Sequence, residues 1–171
     1  MTYEKKIRIT FCIFFLAFFL LGMYMGKPNN YGIDQLSYIH IPIIFFSNLF
    51  IIFICLLISP SGLSFLIIFK TIFTIGYLTD STILPIYIYL PISLIHGIFE
   101  IISLYLSYKL TVSHWRNYMR NTGNKKFVVF KNLLKKTFTQ YLPVILVLLI
   151  IGAILEVLIS NRLAIYFYIK D

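Results

Sequence analysis

Apolar residues fall into five long runs separated by short polar stretches: 9–25, 41–59, 62–79, 84–108 and 141–160. As helices rising about 1.5 Å per residue, such runs reach across roughly 30 Å of hydrocarbon, the first being a little short. The pattern predicts an all-α, polytopic membrane helix bundle with five transmembrane helices, forming a single integral membrane domain over residues 1–171. The connection 27–40 opens on Lys-Pro-Asn-Asn-Tyr-Gly, which is turn chemistry. Ser59-Pro60-Ser61-Gly62 predicts a tight hairpin, and Asp80-Ser81-Thr82 a turn between the third and fourth helices. Pro85 and Pro91 predict that the outer part of the fourth helix is kinked, broken or re-entrant.

Composition strengthens the membrane reading. The chain is 60% hydrophobic and 12% charged, about half the charged fraction usual in a soluble domain. The net charge of +9 matters through its placement. Lys5, Lys6 and Arg8 precede the first run. The connection 109–140 holds Lys109, Arg116, Arg120, Lys125, Lys126, Lys131, Lys135 and Lys136 and no acidic residue. With five spans these two segments share a side, which the positive-inside rule makes cytoplasmic. The N-terminus is then inside and the C-terminal tail, 161–171, outside. No Ala-x-Ala-like cleavage site follows the first run, so it reads as an uncleaved helix of a multi-pass protein of the cell membrane. Phe127, Phe130, Leu134 and Phe138 recur at helical spacing between the lysines, predicting a basic amphipathic helix on the inner leaflet or a docking surface for a partner. His114-Trp115-Arg116 reads as interfacial anchoring. Basic charge beside a membrane does not argue for nucleic acid. Cys12 and Cys55 lie in apolar runs and read as packing residues.

The candidate chemistry lies inside the spans. His96 and Glu100 stand four residues apart, on one helix face. Asn48, Lys70 and Glu156 add polar groups from three other spans. A charged side chain in mid-bilayer costs about 2.5–3.5 kcal/mol on insertion scales, so these groups are expected to face inward and to pair, Lys70 with Glu100. They predict either a structural polar core or an ion, proton or substrate site. His96-Gly97-Ile98-Phe99-Glu100 lacks the second histidine of a zincin, and there is no nucleophile with a base and no glycine-rich phosphate loop. The expected protein is therefore not an enzyme and needs no cofactor or metal.

The string His96-Gly97-Ile98-Phe99-Glu100 resembles the His-Gly-x-x-Glu hallmark of the stage II sporulation protein M family. Ser47-Asn48-Leu49 is similar to the family's asparagine in the second helix, Ser59-Pro60-Ser61-Gly62 to its hairpin, and Gly152-Ala153-Ile154-Leu155-Glu156 to its small-residue-then-Glu pattern. The resemblance covers about 41–160. It departs at Ile102 and Ser103, where the family often has proline, and at Lys70, where a neutral residue is more usual. It implies a non-enzymatic membrane component of a multi-protein complex, working with peptidoglycan hydrolases in sporulation engulfment or with an ABC transporter in bacteriocin production, export or immunity. The short chain, rich in Ile, Lys, Asn and Phe as in AT-rich Gram-positive bacteria, favours the second kind. Asn48, Lys70, His96, Gly97, Glu100 and Glu156 would form the inward polar core. The rival expectations are a transporter or channel built on the His/Glu pair, an immunity protein acting alone, and an intramembrane enzyme, for which the sequence offers no nucleophile or metal set; a homo-oligomer is the alternative to separate membrane partners.

Overall fold

The computed structural model describes residues 2–26, 33–121 and 125–170, and among them every regular element is helical. The order is α1 (Tyr3–Met25), α2 (His40–Ile58), α3 (Ser64–Asp80), α4 (Ile86–Arg120), α5 (Lys125–Lys136), α6 (Leu142–Leu155) and α7 (Asn161–Lys170). A 3₁₀ turn, Ser59–Ser61, joins α2 to α3. It closes on Gly62 at φ 79°, a left-handed conformation that glycine adopts without steric cost. The hairpin thus forms where its turn residues place it. Two π turns, Thr137–Tyr141 and Glu156–Ser160, connect α5, α6 and α7 into one continuous helical run.

Four helices are long and apolar enough to cross a membrane: Tyr3–Met25, His40–Ser61, Ile86–Arg120 and Phe127–Ile169. Ile13, Phe46, Phe50 and Leu66 are among the large apolar side chains exposed on the outer faces of the bundle. So much outward apolar surface is stable in lipid and costly in water, and the molecule is compatible with a multi-pass membrane protein. The third predicted span is the 17-residue helix α3, about 25 Å long.

Three sequence expectations change. The helix that was to end at 108 runs on to Arg120, and α5 packs back against it, so the basic connection 109–140 is mainly a helical hairpin. The prolines do not break α4: Pro85 sits just before the helix, where its fixed φ is harmless, and Pro91 lies inside an unbroken helix. The C-terminal tail is helix α7, whose Ala164 packs with Leu84 and Ile92.

Helix α4 is central. Leu104 and Tyr108 join a cluster with Ile7 and Phe11 of α1, Cys55 of α2, and Ile68 and Ile72 of α3. Leu110 joins a second cluster with Ile52 and Leu56 of α2 and Ile145 and Leu149 of α6. The start of α1 is tied to the later half of α4 by an ion pair, Glu4 Oε1 to Lys109 Nζ at 2.8 Å, and by Arg116 stacked over the Tyr3 ring at 4.5 Å. The two basic segments therefore share one end of the bundle.

Helices α1 and α3 make the most extensive contact in the molecule. It is a close backbone approach: a methyl group on Gly22 would overlap the Phe73 carbonyl oxygen, and one on Gly76 would overlap that of Phe19. Small residues let two helices approach this closely where water supplies no driving force between them.

Candidate functional site

Three helices converge on one polar junction. Helix α4 supplies His96 and Glu100, one turn apart on the same face. Helix α2 supplies Asn48, whose Nδ2 donates to Glu100 Oε1 at 2.5 Å. Helix α6 supplies Gly152, which lies against the same turn of α4: a Cβ there would sit 3.6 Å from Phe99 Cβ and 3.8 Å from Glu100 Cγ. The chain then enters the π turn Glu156–Ser160. The widened turn carries both Glu156 and Ser160, and π turns of this kind recur at functional sites. Ser160 Oγ and His96 Nδ1 share a hydrogen bond of 2.9 Å. Glu156 is within electrostatic reach of Glu100 and of Tyr89. Asn48, His96, Glu100 and Glu156 are all half-buried. Among the described residues neither carboxylate has a lysine or arginine in ion-pair contact.

Lys70 does not belong to this junction. Ser64, Ile68, Ile72, Gly76 and Thr79 set the buried face of α3. Lys70 lies two residues from Ile68, about 200° around the helix, and its side chain is exposed. The expected Lys70–Glu100 pair is absent, and Glu100 is held by Asn48 instead. Lys70 is the seventh residue of α3, close enough to that helix's N-terminal end for its long side chain to run along apolar surface to the polar boundary. The substitutions Lys70→Met and Glu100→Gln are accordingly expected to be additive in thermal unfolding to within about 0.5 kcal/mol. A coupling above about 1 kcal/mol in a double-mutant cycle would show that the two side chains meet.

Gly97, expected in the core, lies beside open space: a methyl group added to it would meet no atom within 4 Å. Its neighbours on the helix, Leu94 and Ile98, are exposed. The remaining candidates spread over the hairpin surface. Arg120, Lys131, Lys135 and Lys136 are exposed, and Arg116 is engaged with Tyr3. Lys125 and Lys126 open α5, and their side chains lie outside the described structure. Of the predicted apolar stripe, Phe130 and Leu134 turn partly inward while Phe127 is 72% exposed.

No protein-family model, curated protein or solved structure matches this chain. Among the described residues no three His, Cys, Asp or Glu side chains gather where they could hold a metal ion.

The structure adds a second polar cluster, around a histidine that the sequence pattern places at the membrane surface. His114 is 1% exposed. Its Nδ1 hydrogen-bonds Ser59 Oγ at 2.6 Å and its Nε2 hydrogen-bonds Thr137 Oγ1 at 3.0 Å, joining the α2–α3 turn, α4 and the first π turn. Ser103, Ser107 and Thr111 lie between the two clusters and are fully buried. The signal in the sequence is the spacing of these residues: 103, 107, 111 and 114 keep the helical period set by 96 and 100.

Proposed function

We propose that this chain is a non-enzymatic component of a larger complex in the cytoplasmic membrane, similar to the stage II sporulation protein M family and accessory to bacteriocin production, export or immunity. One observation carries this reading. The pieces on which the resemblance rests are Asn48, His96 with Glu100, and Gly152 with Glu156. They are more than 50 residues apart in places, yet they meet at a single three-helix junction. In this reading α1, α2, α3, α4 and α6 cross the bilayer, with the basic end of the bundle in the cytoplasm. The exposed lysines and arginines of the α4–α5 hairpin would then meet anionic lipid or a cytoplasmic partner.

The polar junction would hold α2, α4 and α6 in the arrangement that a neighbouring membrane protein recognises. Purification from native membranes in mild detergent tests this, with wild type compared at matched expression with Glu100→Leu, which removes the acceptor for Asn48. Partner proteins that co-purify with the wild type are expected to be lost or strongly reduced in the variant. A chain that purifies alone would overturn the reading, as would partners retained equally by the variant.

A further inference from the structure

The two polar clusters are the ends of one feature. His96, Glu100, Ser103, Ser107, Thr111 and His114 are separated by four, three, four, four and three residues. At 3.6 residues per turn they fall within an arc of about 80° on α4. From His96 to His114 the stripe is roughly 27 Å long, running from inside the fourth apolar run to the basic end of the bundle, where Lys109 pairs with Glu4. It runs between the two apolar clusters, with Leu104 and Tyr108 on one flank and Leu106 and Leu110 on the other.

Two further observations point to a mobile occupant. The hydroxyls of Ser107 and Thr111 are fully buried and have no hydrogen-bond partner. A serine or threonine in a helix normally bonds back to the preceding turn, as Ser103 does to the Phe99 carbonyl at 2.9 Å. An unpaired buried hydroxyl is costly, and both of these lie on the stripe. Each end also carries groups that exchange protons. At one end His96, Glu100 and Glu156 share the junction with Asn48, Ser160 and Tyr89. At the other, His114 and Thr137 line an opening of about 140 Å³ that also contains Glu4, Lys109, Lys136 and Tyr141. His114 presents one ring nitrogen to Ser59 and the other to Thr137. A neutral imidazole in that position accepts a proton on one nitrogen and releases one from the other.

We propose that the polar stripe of α4 is a proton path, running from the His96–Glu100–Glu156 junction past Ser103, Ser107 and Thr111 to His114 and the opening beside it. Side chains one helical turn apart are about 5–6 Å from each other, a gap that one water bridges with two ordinary hydrogen bonds. The hydroxyls of Ser107 and Thr111 are the protein's contribution to that file of donors and acceptors. The proton enters as one bond to oxygen or nitrogen and leaves as another, so no oxidant or leaving group is involved. This inference does not depend on the complex proposed above, because the path lies wholly within one chain.

The test uses the full chain, purified and reconstituted alone into liposomes that enclose a pH-sensitive dye, with a potassium diffusion potential as the driving force. Wild-type liposomes are expected to take up protons clearly faster than empty ones. Replacing Ser107 with alanine and Thr111 with valine together is expected to reduce that flux at least tenfold. The double variant removes only hydroxyls without partners, so it should remain folded. His114→Gln, which keeps hydrogen-bonding groups but cannot exchange a proton across a ring, provides a second variant with the same expected loss. Wild-type flux equal to that of empty liposomes would overturn the proposal. So would flux unchanged in both variants, or a flux that follows a sodium or potassium gradient and leaves internal pH unmoved.

Discussion

Replacing Gly76 with leucine is expected to separate α1 from the rest of the bundle and to lower stability by roughly 3 kcal/mol, the upper part of the usual range for overpacking. The reason is geometric. At Gly76 the two helices approach so closely that even a methyl group would overlap the Phe19 carbonyl oxygen. The neighbour is backbone, which cannot rotate away as a side chain can. Gly22 makes the reciprocal approach to Phe73, so α1 and α3 cannot slide along each other to relieve the overlap. Once they part, the contacts of Phe14 and Phe18 with Phe69, at ring-centroid distances of 4.8 Å each, are lost as well. A thermal unfolding midpoint in detergent lower by roughly 10 °C is the expected readout. Gly97→Leu is the control. No atom lies within 4 Å of a methyl group at that position, and the midpoint should move little. Equal effects of the two substitutions would show that the close α1–α3 approach does not matter for stability.

Replacing Asn48 with leucine is expected to cost about 1.5–3 kcal/mol, the usual range for a hydrogen bond to an ionisable group. It leaves the Glu100 carboxyl facing an apolar side chain, and the described residues offer no cation to take the place of Asn48. Glu100→Gln keeps an oxygen that accepts from Asn48 and should cost less. In the Glu100→Leu background the Asn48→Leu substitution should lose most of its effect, because neither partner is then left unpaired. That interaction term, measured by a thermal or denaturant double-mutant cycle, separates the hydrogen bond from the loss of amide packing. Fully additive single and double substitutions would argue that the contact contributes nothing.

Much of the architecture was legible in the chain. The apolar runs located α2 and α3 to within two residues at each end and the central parts of α1, α4 and α6, because a segment that must satisfy its own backbone in lipid has little choice but to become a helix. The tight α2–α3 hairpin was legible in Ser59-Pro60-Ser61-Gly62, where a residue free to take φ 79° closes the turn. The helix ends beyond the apolar runs were less legible. Residues 109–120 are polar enough to read as a connection, yet they continue α4 because α5 packs along them and α1 anchors them through Glu4 and Tyr3.

The polar junction was half legible. The four-residue spacing of His96 and Glu100 defines a shared face from local geometry alone, whereas the identity of the group opposite depends on how helices rotate about their axes. Charge complementarity nominated Lys70 as Glu100's partner. The buried face of α3, set by Ile68, Ile72 and the Gly76 contact, turned Lys70 outward and left Glu100 to Asn48.

Residue type and spacing alone dictate that the chain is helical, that most of its helices are apolar enough for a membrane, and that His96 and Glu100 share one helix face. These are local properties, fixed by residue type and period. Only the tertiary structure decided which helices touch, that Gly22 and Gly76 bring α1 and α3 into backbone contact, and that His114 is buried between Ser59 and Thr137. Such pairings depend on the packing of distant segments, for which a single chain's periodicity carries no signal.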